Sequence, residues 1–329
     1  MEHTIAASDG ASPPPVQLSN LNFAFAKVTI GGQLLTRLQH EDRGAADAAD
    51  DDDDDDRVLR NVSLTIGSTQ RVLVVGGNGA GKSTLLAVLA GKHLTADDTA
   101  FVFGRDSFRD TTLNLKRAFV SADWGQRAVA FATHAMAYSA DLAVEEMMVK
   151  LQSEHPERRA RLLEVLRIDP KWRLHRLSDG QRRRVQLFLS LLRPSQLIIL
   201  DEVLGMLDIV SRENVLAFLK EETEARGATV LLATHIFDGT EAWATHVLYI
   251  RRGSVGFYGP IEQCTRDDKG AHVPIYRTVE RWLRQELAED DRVEREGLAT
   301  ASNSDLGNAQ NRAGGYAPGR LGGVDVADL

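Results

Sequence analysis

The chain has 329 residues, of which 43% are hydrophobic and 26% charged, a composition that is typical of globular proteins and excludes a collagenous, coiled-coil or wholly disordered chain. Its net charge of −8 comes almost entirely from consecutive aspartates at residues 50–56, so the rest of the chain is nearly neutral. A nearly neutral body gives no indication of direct nucleic-acid binding.

The chain shows no sign of targeting or membrane insertion. No apolar run reaches the roughly 18 to 20 residues that a membrane helix needs. Residues 1–15 are small, polar and proline-rich, without the apolar stretch of a signal peptide, which predicts a flexible lead-in. The single cysteine, Cys264, cannot form an internal disulfide and favours a reducing compartment. We therefore expect a protein of the cytoplasm or the nucleus, for which any membrane role would require a separate partner.

Two further segments lack the apolar content of a folded core. Residues 36–57 are rich in Ala and Asp, and their like charges repel one another, which predicts a solvated insertion; a segment that binds cations or a partner is the alternative. Residues 288–329 are charged and then rich in Gly, Ala and Asn, which predicts a largely disordered tail. The remaining sequence, 16–287, is expected to form the folded domain, with a last amphipathic helix over 274–287.

Strand-like and helical patterns alternate along this domain. Strand patterns come first, at residues 16–30 and 58–66. The apolar runs at 71–76 and 197–203 are strand-sized, and a helical pattern follows each of them. Helical spacing fills much of residues 125–190. The alternation predicts an α/β fold with a largely parallel sheet and an inserted helical subdomain.

A glycine-rich turn after the strand at 71–76 carries the first chemical motif. It fits the pattern G-x-x-x-x-G-K-[ST] between a hydrophobic strand and a helix, the context that this motif requires. Glycines let backbone N–H groups turn toward phosphates, and the helix dipole favours the same anions. Lys82 is expected to contact the β- and γ-phosphates and Ser83 to ligate Mg²⁺; an ordinary glycine-rich turn is the alternative. The predicted phosphate loop comprises Gly76, Gly77, Asn78, Gly79, Ala80, Gly81, Lys82, Ser83 and Thr84.

The apolar strand at 197–200 leads into two carboxylates, Asp201 and Glu202. Ligands bind at the carboxyl ends of parallel strands, so both side chains are expected near the phosphates. Asp201 can hold Mg²⁺ through its water shell, and Glu202 can orient and deprotonate the attacking water. A solvated or helix-capping pair is the alternative interpretation.

A short polar motif, LSDGQ at residues 177–181, precedes these carboxylates. Ser178 and Gln181 have the spacing of a capping box, which by itself only begins a helix. However, the order of the phosphate loop, LSDGQ, LIILDE, LGMLD and ATH resembles the nucleotide-binding domain of the ABC ATPases. The resemblance covers roughly residues 16–259.

This resemblance implies a P-loop NTPase core with a parallel sheet, an antiparallel β subdomain and a helical subdomain. In the family, the signature serine and the adjacent backbone at a helix N-terminus bind the γ-phosphate that the P-loop of a second subunit holds. The matching positions here are Ser178, Gly180 and Gln181. Asp208 matches the aspartate that lies across the dimer interface, and His235 matches the switch histidine that contacts the γ-phosphate and the attacking water.

Other positions match the family less clearly. Phe25 corresponds to the aromatic side chain that stacks on adenine, although Phe23 is an alternative match and core packing an alternative role. Asp179 stands where the family has glycine, so its carboxylate must point away from the phosphate or slow hydrolysis. No clear Q-loop glutamine is present, and Asp123 or Gln126 are the candidates to replace it. Because this loop communicates with membrane helices in transporters, its alteration weakens a transport role.

The stretches LSDGQRRRVQL and RGATVLLATHIFDGTEAWATH are similar to the small soluble ABC ATPases of the fungal Ccr-Not-associated and plant non-intrinsic types. The arginines at 182–184 suit this subgroup, although a solvated helix face is the simpler interpretation. The predicted function is binding and hydrolysis of Mg-ATP by an ATPase that dimerises head-to-tail around two ATP, with a regulatory role in a protein complex. The alternatives are the energising subunit of a multi-chain membrane transporter and a nucleotide-gated scaffold with little turnover.

Overall fold

The computed structural model describes residues 12–25, 27–30, 33–36, 57–121, 141–267, 269–289 and 292. Most of the predicted lead-in, acidic insertion and tail lie outside the described residues, as do Asp123 and Gln126. The strands are β1 (Val16–Ala24), β2 (Lys27–Ile30), β3 (Gln33–Thr36), β4 (Arg57–Ile66), β5 (Arg71–Val75), β6 (Ala100–Val102), β7 (Arg105–Asp106), β8 (Arg117–Val120), β9 (Leu197–Asp201), β10 (Thr229–Ala233), β11 (His246–Arg251) and β12 (Ser254–Pro260). The α-helices are α1 (Lys82–Leu89), α2 (Val149–Glu154), α3 (Pro156–Val165), α4 (Asp179–Leu191), α5 (Ile209–Arg226), α6 (Thr240–Trp243) and α7 (residues 275–289).

A six-stranded sheet in the order β12-β11-β5-β10-β9-β8 forms the centre of the fold. Strands β5, β8, β9, β10 and β11 run parallel, and β12 pairs antiparallel with β11. The aliphatic strands β9 and β10 are buried along their whole length, as parallel strands covered on both faces must be. The predicted α/β fold is confirmed.

A second, antiparallel sheet has the order β4-β1-β6-β7. It shares one hydrophobic core with the central sheet, in which Leu21 and Leu59 pack with Leu85 and Leu86 of α1 and Leu231 of β10. The predicted strand pattern at 16–30 is divided in the structure, because β1 pairs with β4 and β6 whereas β2 pairs with β3 in a separate hairpin. Strand β4 of this antiparallel sheet lies against the turn between β5 and α1.

A buried ion pair joins the helical part to the core. The Nη1 atom of Arg158 in α3 lies 2.6 Å from Oε1 of Glu222 in α5, and both side chains are 4% exposed. Arg158 Nε also donates to Leu191 O at the end of α4, and its guanidinium lies over the ring of Phe218. A buried charge needs such partners, so these contacts hold α3, α4 and α5 in one arrangement.

The chain divides into two units, Met1–Glu280 and Arg281–Leu329. In the first unit, the segment after β12 returns to α6, where Glu241 accepts a hydrogen bond from the backbone N–H of Ile275 at 2.8 Å. In the second unit, residues 281–289 are helical. Among the helices of the described residues, none combines the length and the apolar content that crossing a membrane requires.

Candidate active site

Three neighbouring parallel strands bring the predicted motifs to one edge of the central sheet. Strand β10 lies between β5 and β9, and its Ala233 pairs with Val74 on one side and Asp201 on the other. The residues that follow these partners leave the sheet at its carboxyl edge. The phosphate loop after β5, Glu202 after β9 and His235 after β10 therefore emerge side by side.

The phosphate loop packs so closely against neighbouring strands that two of its positions require glycine. A Cβ at Gly76 would lie 2.3 Å from the carbonyl oxygen of Ile250 in β11. Gly81 has φ +100°, and a Cβ there would lie 2.9 Å from Leu59 Cδ2. This packing holds the loop in one conformation. Of the other loop residues, Ala80 is buried, Gly77 is half-buried, and Asn78 and Gly79 are exposed.

Lys82 begins α1 and closes the loop. Its Nζ donates to Gly76 O and Gly77 O, at 2.9 Å each, and the residue is 7% exposed. Ser83 and Thr84 follow in the first turn, and the glycine N-cap brings no side chain that would compete for the N–H groups of that turn. These N–H groups and the helix dipole make the start of α1 suited to an anion.

Glu202 and His235 form a pair at the same edge. His235 Nε2 lies 3.2 Å from Glu202 Oε1, and the two side chains are 52% and 30% exposed. Glu202 has φ +52°, a conformation that costs about 1–3 kcal/mol for a residue other than glycine. Its N–H donates to Ala233 O at 3.0 Å, which holds it there. A carboxylate fixed beside an imidazole and open to water can act as a general base.

The oxygen donors of this edge suit Mg²⁺ bound to ATP. Asp201 ends β9 and is 7% exposed, and Ser83 offers a hydroxyl group from the first turn of α1. Mg²⁺ prefers oxygen ligands and takes only one or two from protein when phosphates supply others. Ser83 and Asp201 would hold the metal, while Lys82 would balance the phosphate charge. The residues at this edge therefore fit Mg²⁺ bound to ATP.

The signature motif begins α4 as its N-cap. Ser178 Oγ accepts from Gln181 N at 3.3 Å, and Ser178 N donates to Gln181 Oε1 at 2.9 Å, which is the predicted capping box. Asp179 is 81% exposed, and its Oδ1 lies 3.4 Å from Arg182 Nη1 along the same helix. The unusual carboxylate of this motif is thus paired with a cation of its own helix.

Asp208 caps the following helix, α5. Its Oδ1 accepts from Ser211 N at 2.9 Å and its Oδ2 from Ser211 Oγ at 2.8 Å. These hydrogen bonds hold the pKa of Asp208 below its usual range because they stabilise the charged form. The bond from the backbone N–H of Ser211 has the larger effect, and the bond from its hydroxyl group adds to it. Arg184 Nη2 lies 3.8 Å from Asp208 Oδ2, and a Cβ at Gly180 would lie 3.1 Å from Met206 O. Helix α4 and the loop around Asp208 therefore pack together.

Comparison with known proteins assigns the family. The family described as ABC transporter matches residues 59–205. The chain is 41% identical to ABC transporter I family member 20 of Arabidopsis thaliana, over 74% of this chain and 73% of that protein. The chain belongs to the ABC transporter family. This ABC protein is also 40% identical to CCR4-associated factor 16 of Saccharomyces cerevisiae, over 59% of this chain and 70% of that one.

The fold of this ABC protein is that of an ATP-binding cassette. The dimeric post-hydrolysis structure of the cassette MJ0796 with ADP and Pi is similar to it with a TM-score of 0.55 and 20% identity, over 75% of this chain and 98% of that one. The predicted P-loop NTPase fold is thereby confirmed. ATP and Mg²⁺, the predicted cofactors, are those of ABC ATPases.

The predicted adenine-stacking residue of this ABC protein lies in an aromatic cluster. The ring of Phe25 is 5.1 Å from that of Phe23 and 5.5 Å from that of His93, edge-on in both cases. Phe23 is 6% exposed, whereas Phe25 is half-buried. Phe25 is therefore the better placed of the two alternatives to contact a ligand, and its role in adenine binding stays a prediction.

Two buried polar residues of α4 were missed by sequence reasoning. The expected solvated face at 182–184 is wrong for Arg183, which is 5% exposed. Consecutive helical residues point about 100° apart, so the three arginines cannot all face solvent. Arg183 Nη1 donates to Ser121 O at 2.8 Å, and Gln186 Nε2 donates to the same oxygen at 2.9 Å. Their three-residue spacing within a buried helix face was the available signal.

Proposed function

We propose that this ABC protein binds Mg-ATP at its phosphate loop and hydrolyses it. The observation that carries the proposal is the pair formed by Glu202 and His235, 3.2 Å apart at the edge of the sheet where the phosphate loop begins. Lys82 and Asp201, each 7% exposed, support it from the same edge with a cation for phosphate and a carboxylate for Mg²⁺.

Bound ATP supplies the electrophile, a γ-phosphorus on which Mg²⁺ balances the oxygen charge. Lys82 and the first turn of α1 hold the phosphates. Glu202 accepts a proton from the attacking water, and His235 orients the Glu202 carboxylate from 3.2 Å. As the water oxygen bonds to the γ-phosphorus, the bond from that phosphorus to the bridging oxygen breaks, and ADP leaves with the electron pair. A positioned general base contributes about 10²- to 10⁴-fold to such a step.

The proposal includes a head-to-tail dimer around two ATP. The sequence holds one phosphate loop and one signature motif, so a site that draws them from different chains needs two copies. The loop around Asp208 exposes three apolar side chains, with Met206 57%, Ile209 68% and Val210 51% exposed. Exposed apolar side chains grouped beside a site favour burial against a second chain. A dimer would cover them and place Ser178 of one copy opposite the phosphate loop of the other.

We infer a regulatory role in a protein complex, in the cytoplasm or the nucleus. The similarity to CCR4-associated factor 16, whose name states an association with CCR4, supports this role. The alternative, an energising subunit of a membrane transporter, is supported by the name of the Arabidopsis relative. Co-purification with an integral membrane protein would select that alternative. Negligible ATP turnover by the pure protein would instead favour the other alternative, a nucleotide-gated scaffold.

The variant Glu202→Gln tests the proposed function. The amide keeps the shape of the side chain but cannot accept the proton of water, so we expect turnover to fall about 10²- to 10⁴-fold while ATP binding persists. ATP contacted by both copies would then hold them together by mass action. Size-exclusion chromatography with Mg-ATP should show this variant moving from monomer to dimer.

The control adds Ser178→Arg to the same variant. An arginine at the start of α4 puts bulk where the phosphate of the other copy must dock, so the double variant should remain monomeric. A Glu202→Gln protein that stays monomeric at saturating ATP, or dimerises equally without nucleotide, would contradict the dimer. Unchanged turnover would contradict the role of Glu202 as general base.

A further inference from the structure

Helix α4 carries two buried polar side chains that the proposed chemistry does not use. Arg183 and Gln186 are 5% and 3% exposed, and their spacing places them on the same face of the helix. Both donate to the backbone carbonyl of Ser121, and Arg183 Nη1 also donates to Gln186 Oε1. A carbonyl oxygen has two lone pairs, so these two donors saturate Ser121 O.

Ser121 lies at the edge of the sheet that carries the proposed magnesium ligand. It follows Val120, whose parallel partner in β9 is Leu200. The residue after Leu200 is Asp201, so Ser121 and Asp201 leave the sheet on adjacent strands. Such strands are about 4.8 Å apart. The junction of Arg183, Gln186 and Ser121 therefore fixes α4 one strand away from Asp201.

The burial of Arg183 favours a positioning role over simple packing. A buried guanidinium is costly unless its N–H groups are hydrogen-bonded, and apolar side chains of similar volume fill such a space at lower cost. Among its hydrogen bonds, Arg183 donates to a backbone carbonyl at the sheet edge and to its helix neighbour Gln186. The pair thus connects a helix and a strand end at a defined distance.

The same helix begins at the signature serine. An α-helix rises about 1.5 Å per residue and is stiff over this length, so holding its second and third turns against Ser121 fixes where Ser178 points. We propose that Arg183 and Gln186 are positioning residues that keep Ser178 in register with Asp201 of the same chain. A Ser178 held in this register is placed to complete the site of the second copy. This inference rests on the proposed dimer.

The test uses the full chain carrying Glu202→Gln, so that dimerisation is measured without turnover. Adding Gln186→Leu removes one donor to Ser121 O at similar volume. We expect the ATP concentration that gives half dimer, measured by light scattering with Mg²⁺, to rise roughly tenfold, as for loss of one buried hydrogen bond. The affinity of the dilute monomer for a fluorescent ATP analogue should change less than about twofold, because Lys82 and the loop are untouched.

Three further variants separate positioning from general loss of stability. Arg183→Lys keeps one charged donor and should raise the half-dimer ATP concentration less than Arg183→Met does. Gln152→Leu removes a glutamine of α2 that is 5% exposed and donates to Val144 O, away from α4, and should lower stability to urea without shifting dimerisation.

The outcomes distinguish this inference from the function on which it rests. If the Glu202→Gln parent dimerises with ATP and the Gln186→Leu and Arg183→Met variants do so at the same ATP concentration, the inference is overturned and the proposed dimer stands. A fall in monomer affinity that matches the dimerisation shift also overturns it, because the pair would then act on nucleotide binding. A parent that never dimerises overturns the proposed dimer and this inference together.

Discussion

Lys82 shows how a single ammonium group can be buried and still be available to a ligand. Its Nζ donates to Gly76 O and Gly77 O, so carbonyl oxygens of the loop stabilise the charge. Phosphate oxygens are stronger acceptors than carbonyls for a cation, so they would compete for the same group.

We predict that Lys82→Ala binds ATP about ten- to a hundredfold more weakly, since it removes a charged hydrogen-bond donor from the phosphates. The fold should survive, because the apolar side chains of α1 are unchanged. Isothermal titration calorimetry measures the affinity and circular dichroism the fold. Lys92→Ala, at an exposed lysine just after α1, is the matched control and should bind as the wild type does. Unchanged affinity in Lys82→Ala would refute the phosphate-loop assignment.

Asp208 gives a pH-dependent prediction for stability. Its pKa is lowered in the folded state by the N–H and hydroxyl groups of Ser211, so the folded protein binds this proton less tightly than the unfolded chain. The stabilisation is therefore complete above the ordinary pKa, about 3.9, and is lost as pH falls below it.

We expect Asp208→Ala to lower the free energy of unfolding by about 0.5–2 kcal/mol at pH 7, as for loss of an N-cap. Asp208→Asn should cost less, because asparagine also caps helices. The difference between wild type and Asp208→Asn should shrink as the pH is lowered from 5 toward 3. Urea unfolding followed at several pH values measures this, and a difference that grows toward low pH would contradict the assigned direction.

At the scale of elements, the loop between β9 and α5 and the start of α4 act as one packed unit. The backbone of Met206 lies against Gly180, and Arg184 reaches Asp208 at 3.8 Å. Neither contact follows from the helical pattern of α4, since both depend on where the loop after β9 turns.

Gly180→Ala tests this packing. The new Cβ would lie 3.1 Å from Met206 O, so the loop must shift by a few tenths of an ångström. Alanine in a helix is favoured over glycine by about 0.5–1 kcal/mol. This gain offsets the cost of shifting the loop, so the free energy of unfolding should change little. In the Glu202→Gln background we expect ATP-dependent dimerisation to weaken several-fold.

The matched control is Gly205→Ala in the same loop, where a Cβ would meet nothing within 4 Å. It should dimerise as the parent does. Equal behaviour of the two glycine variants in analytical ultracentrifugation would show that the contact between α4 and the loop has no part in assembly.

At the scale of the whole molecule, a hydrophobic cluster of the described residues spans both sheets and α1. The acidic run at 50–56 and the segment 288–329 carry little apolar sequence, so neither is expected to contribute to that cluster. The domain limits 16–287 stay a prediction.

We predict that deleting 288–329, or replacing 50–56 by a Gly/Ser segment of equal length, leaves ATP turnover within about twofold, because both segments are solvated in this interpretation. Steady-state phosphate release measures it. A simple deletion of 50–56 is the companion variant, since it shortens the connection as well as removing the charge. A tenfold loss of turnover would show that the acidic run shapes the nucleotide site.

Local patterns were enough to predict the phosphate loop, the carboxylates at the end of β9 and the capping box at Ser178. Each of these depends on a few neighbouring residues whose conformational preferences act over one turn or one strand. The alternation of strands and helices could also be predicted from the sequence, because buried parallel strands are continuous aliphatic runs. The helix predicted over 274–287 is found at 275–289, because the amphipathic spacing of a helix is also a local pattern.

Only the tertiary structure decided which of these pieces meet. The order β5-β10-β9 places His235 between the phosphate loop and Glu202, and it results from pairing between strands that are far apart in the chain. The need for glycine at position 76 comes from the carbonyl of Ile250 in β11, and the burial of Arg183 comes from the end of β8. Such contacts depend on long-range packing: local spacing indicates that the three arginines point in different directions, but not which of them is buried or what it contacts.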